Sequence, residues 1–251
     1  MVSFEDFVVK TNEASDAGAV FELFRITLAD LGFDRVVYSL ITDPPSLDKL
    51  AGHGIQHSYP QDWMEHYTRN GYERIDPVPK YCFASSRPFT WDRITNELPL
   101  SDEERKVMLE AHEAHLRDGV GMPLYGPNGE IAGLGLASSE GGTNLDRSAL
   151  YLLRAMAYQF HLAYWDHEAP PNPLGQVHLT AREREILLWA AEGKSDPVIA
   201  ELLGISYPTV RYHMANIFAK LGVNERTLAV VKALRYGLII PSFVGADYQT
   251  R

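Results

Sequence analysis

The chain has 251 residues, 45% of them hydrophobic and 22% charged, and a formal net charge of −10; this is ordinary globular composition at a length that suits two modest domains, each with its own core. Its one cysteine, Cys82, excludes an intramolecular disulfide framework and fits a thiol packed as a small hydrophobe in a reducing cytoplasm, the expected location. The acidic start, Met1 to Asp6, has neither signal-peptide nor transit-peptide character, and no run of about 18 apolar residues offers a membrane span.

The first predicted element is a helix over Ala17–Leu31, where Val20, Phe21, Phe24, Leu28 and Leu31 recur at helical spacing and Gly32 ends the run. Arg35–Thr42, rich in Val, Leu, Ile and Tyr, reads as a strand. His53 and His57 flank a glycine-containing loop with no third metal ligand nearby. A helix over Pro60–Asn70 follows and stops at Gly71; Tyr59, Trp63 and Tyr67 stand at i, i+4 and i+8 and share its face. Asp76-Pro77 and Pro88-Phe89-Thr90-Trp91 come next. Tyr and Trp tips donate and Asp76 accepts, so a buried guest with carbonyls and an amide N–H would satisfy all of them. The same residues also read as an aromatic core stripe with Asp76 capping the turn before Pro77.

Ser101–Leu116 is a predicted helix opened by a capping box, Ser101 with Glu104. His112, His115, Glu110 and Glu113 read as a solvated stripe on it rather than a metal site. Two strands, Gly119–Tyr125 and Glu130–Ser138, are joined by Gly126-Pro127-Asn128-Gly129, a hairpin signal. Gly121, Gly133 and Gly135 lie inside these strands, where glycine marks close approach by something else. The helix Arg147–Trp165 is apolar on more than one side, which makes it the candidate seam of a homodimer. The N-terminal half therefore reads as a mixed sheet covered by helices.

Asp166 to Gln176, DHEAPPNPLGQ, has three prolines and no apolar periodicity, so the domains are placed at 1–165 and 177–251 with 166–176 as linker. The acidity is one-sided. Residues 1–174 carry 14 Lys and Arg against 26 Asp and Glu, a balance of −12, whereas 175–251 carry 9 against 7, a balance of +2. A nucleic-acid partner is thus permitted for the C-terminal part alone.

Four short helices are legible there. Thr180 and Glu183 form a capping box for the first, which stops at Gly193; Ser195, with Pro197 behind it, caps the second, which stops at Gly204. Ser206, with Pro208, caps the third, ended by Gly222; Asn224 caps the fourth, ended by Gly237. The second and third have helix-turn-helix spacing. At 100° per residue, Val210, Met214, Ile217, Phe218 and Leu221 form the core face of the third helix. Thr209, Tyr212, Ala215, Asn216 and Ala219 face outward, with Arg211 and Lys220 on the flanks and His213 between. No acidic residue occurs from Ser206 to Gly222, which suits a helix laid against DNA better than a plain solvated face.

This C-terminal stretch of about 60 residues resembles the DNA-binding domain of LuxR-type regulators, carried by Glu183, Leu187, Gly193, Lys194, Thr209, Val210, His213 and Lys220-Leu221-Gly222-Val223. The resemblance implies a four-helix, NarL-like domain that acts as a homodimer on an inverted repeat in promoter DNA, with RNA polymerase as an expected partner. Its candidate DNA contacts are Lys194, Thr209, Arg211, Tyr212, His213, Asn216 and Lys220. No phosphate loop and no receiver-type acidic cluster occurs in the first half. With Tyr59, Trp63, Tyr67, Asp76, Trp91 and Gly119 in place, residues 17–165 instead resemble the acyl-homoserine-lactone-binding domain of LuxR-type quorum-sensing receptors. That implies an α-β-α sandwich with an antiparallel sheet and a ligand buried between sheet and helices.

By that resemblance Trp63 donates to the lactone carbonyl, Asp76 accepts the amide N–H, Tyr59 bonds the acyl carbonyl, and Trp91 and Tyr67 pack ring and chain. Met64 and Val78 stand where some relatives have polar residues. Gly121 and Gly135 replace Thr or Ser on the inward strand positions, and are expected to widen one wall for an aryl or branched acyl group. No other cofactor, no metal and no catalytic residue is expected, because no nucleophile motif is present. The alternatives are the same architecture sensing a non-lactone molecule or acting without ligand and, more remotely, a lactone-processing enzyme.

Overall fold

The structure, a computed structural model, describes residues 3–42, 52–126, 130–143, 145–168 and 177–240. The chain divides into two compact units, Met1–Ala169 and Pro170–Arg251.

The first unit is built on a five-stranded antiparallel sheet: β1 (Arg35–Leu40), β2 (Gly52–His57), β3 (Phe89–Thr90), β4 (Arg117–Tyr125) and β5 (Ile131–Ser138), in the order β2-β1-β5-β4-β3. Side chains alternate across it. Val36, Tyr38, Leu40, Val120, Met122, Leu124, Leu134 and Leu136 point into the main core, made with α1 (Phe4–Asn12), α2 (Ala17–Ala29) and α7 (Arg147–Glu168). Tyr38 anchors α7: its Oη accepts from Trp165 Nε1 at 3.0 Å and pairs with His161 Nδ1 at 2.8 Å. The other face carries Val37, Ala137 and the strand glycines. Over it lie α3 (Gln61–Arg69), a 3₁₀ turn (Tyr72–Arg74), α4 (Pro77–Ala84), α5 (Trp91–Glu97) and α6 (Asp102–Glu113). Helices on both faces of an antiparallel sheet make the expected α-β-α sandwich.

Local signals end the helices where the sequence indicates. Gly32 and Gly71 take left-handed φ values of 87° and 65°, and Ser101 and Glu104 exchange both bonds of the capping box. Two features depart from expectation, and a third is left untested. The loop containing His53 and His57 is the edge strand β2, held by pairing with β1; a register slip between Tyr38 and Leu40, with Gly54 at φ 66°, marks a bulge. Helix α7 continues to Glu168, into the stretch read as linker, because a proline restricts mainly the residue directly before it. Most of the Gly126–Gly129 turn lies outside the described residues, although Gly126 N–H reaches Glu130 O at 2.9 Å. Among the described residues no helix is long and apolar enough to cross a membrane.

The second unit has α8 (Ala181–Ala191), α9 (Asp196–Leu202), α10 (Tyr207–Leu221) and α11 (Arg226–Arg235) around Ile186, Leu187, Ile199, Val210, Ile217, Ala229 and Ala233. Gly193, Gly204, Gly222 and Gly237 all adopt positive φ after these helices. The Thr180–Glu183 capping box forms, and Ser206 accepts from Thr209 N–H. Two caps differ from the sequence reading. Ser195 occupies the cap position without a side-chain bond, and α11 is preceded by Glu225 rather than Asn224. Both Asn224 and Glu225 are exposed, so water can satisfy the free N–H groups that a side-chain cap would otherwise take.

Candidate ligand cavity and DNA-facing helix

Between the glycine-bearing face of the sheet and α3–α6 the first unit has a cavity of about 50 Å³. Tyr59, Trp63, Tyr67, Asp76, Val78, Trp91 and Gly135 all line it. The aromatic face of α3 thus points inward, and the left-handed turn at Gly71 brings the chain back so that Asp76 opens α4 beneath it. Asp76 Oδ1 accepts Val78 N–H at 2.8 Å as the helix cap, and Oδ2 accepts Tyr67 O–H at 3.0 Å. The capping and cavity-lining readings of Asp76 therefore both hold, and Tyr67 does more than pack, since it orients the carboxylate. Each oxygen keeps acceptor capacity for a further donor.

The electrostatics follow from burial. Burial raises the Asp76 pKa to about 6, against the opposing pull of the Val78 and Tyr67 bonds. Burial, then the Asp76 charge, puts the Tyr59 and Tyr67 hydroxyls well above their usual range, so both stay protonated donors. Burial pushes the Cys82 thiol up to about 12, which leaves it an inert part of the wall. Tyr59 Oη and Trp91 Nε1 are buried and lack hydrogen-bond partners. Such groups are costly to leave unpaired.

The strand glycines do not widen the cavity, which corrects the sequence reading. A Cβ on Gly121 would sit 2.2 Å from Phe89 Cζ, so that ring already fills the space, and Gly121 is not part of the lining. At Gly135 a Cβ would meet Val37 Cγ1 at 2.7 Å and Tyr59 Oη at 2.8 Å; at Gly133, Ile41 Cδ1 at 3.0 Å. Gly119 seats Trp91, whose indole would lie 2.0 Å from a Cβ there. Glycine at these positions lets the covering side chains rest on bare backbone. A bulky acyl group therefore gains no room from these glycines. Sequence reading missed Ser39, His53, Met108 and Ala111 in the lining. His53 was hidden because the bulge at Gly54 leaves no regular alternation to read. Among the described residues no cluster could hold a metal; Glu110, weighed for one, instead pairs with His66 Nε2 at 2.7 Å and accepts the Tyr72 hydroxyl.

In the second unit α10 follows α9 after a four-residue turn with Gly204 at its bend, as a helix-turn-helix requires. Val210, Met214, Ile217 and Leu221 are buried, with Phe218 partly so. Arg211, Tyr212 and Ala215 are exposed, and Thr209, His213 and Asn216 half-buried beside them. Lys194 is exposed on the turn before α9, where its carbonyl accepts from Arg226. Lys220 is not a free cation: its Nζ lies 2.6 Å from Glu183 Oε2, and the same oxygen accepts Thr180 N–H at 2.7 Å. Burial raises the Glu183 pKa, but the Lys220 and Thr180 bonds outweigh it and hold the carboxyl below its ordinary value. Lys220 thus ties α10 to the start of α8.

Comparison with known proteins agrees with both halves. The Autoinducer binding domain family matches residues 16–164, and the family of bacterial regulatory proteins, luxR family, matches 177–233. The quorum-sensing regulator RhlR of Pseudomonas aeruginosa is 33% identical over 227 residues, 89% of this chain and 91% of its own. Among solved structures, SdiA of Escherichia coli matches with TM-score 0.68 at 23% identity, over 94% of this chain and 97% of that one. CepR2 of Burkholderia cenocepacia, an N-acylhomoserine-lactone-dependent LuxR family factor, matches with TM-score 0.50 at 25% identity, over 65% of this chain and 92% of its own. The chain belongs to the LuxR family of quorum-sensing transcriptional regulators, an autoinducer-binding domain joined to a DNA-binding helix-turn-helix domain, and that is a family of regulators rather than enzymes.

Proposed function

We propose that this regulator takes an N-acyl-homoserine lactone into the cavity of its first domain and, as a homodimer, binds an inverted repeat in promoter DNA, where RNA polymerase is recruited or blocked. The observation that carries the ligand reading is the set of opposed polar groups on one apolar void. The unpartnered Tyr59 hydroxyl stands on it together with the Asp76 carboxylate. An amide with carbonyls on either side supplies the acceptors and the donor these groups need. Trp63 donates to the lactone carbonyl, Tyr59 to the acyl carbonyl, Asp76 accepts the amide N–H, Trp91 covers the ring, and Val78 and Gly135 border the acyl chain. A cavity of about 50 Å³ is far below the roughly 300 Å³ of a pocket for a ligand this size. Binding therefore moves the α3–α6 cover outward, and occupancy stabilises the domain by mass action, about 2.7 kcal/mol at a hundredfold excess over Kd.

The DNA contacts are Lys194, Arg211, Tyr212, Thr209, His213 and Asn216, with Lys220 holding the helix in place. Exposed Tyr151 and Leu162 on α7, 62% and 56% accessible, form the dimer seam. The deciding experiment is mass spectrometry of small molecules released from the full chain purified from cells making its signal, paired with gel-shift binding to its own promoter. A released acyl-homoserine lactone and a gel shift by dimer are expected. A released molecule without a lactone, or lactone binding with catalytic turnover, overturns the reading.

A further inference from the structure

The cavity has a second polar corner apart from the groups assigned above. It is formed by Ser39 on β1 and His53 on β2. Its place along the fold follows from register. Val37 pairs with Gly135, where the Tyr59 hydroxyl rests, and Ser39 pairs with Gly133, where Ile41 rests. Two strand residues separate these positions, about 6.7 Å. Trp91 lies on Gly119 of β4. The corner therefore stands on the acyl side of Tyr59, beyond the head group.

Its hydrogen bonds fix what it offers. Ser39 Oγ accepts Gly54 N–H at 2.9 Å and lies 3.3 Å from His53 Nδ1. That oxygen already accepts, and its hydroxyl hydrogen is free to donate to Nδ1; that pairing puts the ring proton on Nε2, the tautomer taken here. The imidazole stacks on Tyr67, centroids 4.2 Å apart and planes at 17°, so its orientation is set. Burial, helped by the neighbouring His57, lowers the His53 pKa to about 4, so the ring is neutral near pH 7. His53 Nε2 is buried and has no hydrogen-bond partner. Val37, Ile41 and Val78 line the same cavity and are apolar.

We propose that His53 is a specificity-determining residue whose Nε2–H donates to an oxygen carried on the acyl group of the ligand, a keto or hydroxyl oxygen on a chain or a hydroxyl on a ring. This rests on the lactone reading above. A plain hydrocarbon acyl group leaves the donor buried and unpaired, whereas an oxygenated one satisfies it, and that difference discriminates between ligands of nearly equal size.

The test uses the full chain and two matched pairs of lactones: hexanoyl against 3-oxohexanoyl, and cinnamoyl against 4-hydroxycinnamoyl homoserine lactone. Affinity is read by tryptophan fluorescence and by thermal shift. The native chain is expected to bind the oxygenated member of one pair at least about tenfold more tightly, and the favoured pair tells chain oxygen from ring oxygen. His53→Leu should bring that pair within about twofold while still binding the plain member, and His53→Gln, which keeps a donor, should retain preference. His53→Met is the second apolar variant should the leucine chain fail to fold. Equal affinity of the native chain within both pairs, or a preference that survives the apolar variants, overturns the proposal. Failure of all four lactones to bind the native chain overturns the lactone reading itself, and this corner with it.

Discussion

Replacing Asp76 by Asn separates what the carboxylate costs the fold from what it gives the ligand. Its pKa stands at about 6 against an ordinary 3.8, because burial outweighs the two hydrogen bonds it accepts. Two pKa units at about 1.4 kcal/mol each mean that ionised Asp76 costs the folded domain about 3 kcal/mol. The folded pKa is the raised one, so the penalty is absent below about pH 4, grows from pH 4 to 6, and is constant above. Asparagine has no charge to desolvate at any pH; its oxygen can keep Val78 N–H, and its amide can donate to the Tyr67 oxygen. Urea unfolding of the ligand-free chain, followed by tryptophan fluorescence, reads the difference, since Trp63, Trp91 and Trp165 all lie in the first unit. The native chain should lose about 3 kcal/mol relative to the variant between pH 4 and pH 7, which leaves Asp76→Asn the more stable protein at pH 7. Its lactone affinity should nevertheless fall by about tenfold or more, because the charged acceptor is gone. A stability difference that stays flat from pH 4 to 7 refutes the reasoning, since it would mean the carboxylate is solvated in the folded chain.

Other variants test the remaining parts. Gly135→Ala forces a methyl to within 2.8 Å of the Tyr59 hydroxyl, so isothermal titration should show lactone affinity lowered by about tenfold or more, with the second domain's DNA binding intact. Lys220→Met strands the buried Glu183 carboxylate; calorimetry should show the C-terminal unit destabilised by about 1–3 kcal/mol, the usual cost of a broken buried pair reduced because the lysine is partly exposed. Arg211→Ala should weaken promoter binding, and lower its salt slope by about 1 if the side chain meets phosphate, while leaving melting temperature and lactone affinity unchanged.

What could be read in advance was local. The capping boxes at Ser101 and Thr180, and the stops at Gly71, Gly193 and Gly222, are decided within a few residues, and they fall where the sequence places them. The inward placement of Trp63 and Tyr67 is likewise a matter of helical period, whereas Tyr59 lines the same cavity from just before the cap residue Pro60. Features fixed by distant partners were hidden. Edge strand β2 exists through its pairing with β1 and carries a bulge, so His53 looked like a loop residue. Gly121 looked like open space because nothing nearby in sequence announces that the Phe89 ring lies over it. Lys220 looked like a phosphate contact because its partner, Glu183, stands 37 residues away.

That long-range ion pair bears on how promoter preference can be re-engineered. A screen that scores only lost transcription will count Lys220 among the residues that read bases or phosphates, because replacing it also breaks the ion pair that ties α10 to the start of α8. Heat, rather than operator sequence, is what tells the two apart. The outward stripe of Thr209, Tyr212, Ala215 and Asn216 carries none of this bracing duty apart from Thr209 at the cap. With the DNA contacts proposed above, exchanging target sites between two such proteins reduces to transplanting one stripe of one helix, with the ion pair left as it stands.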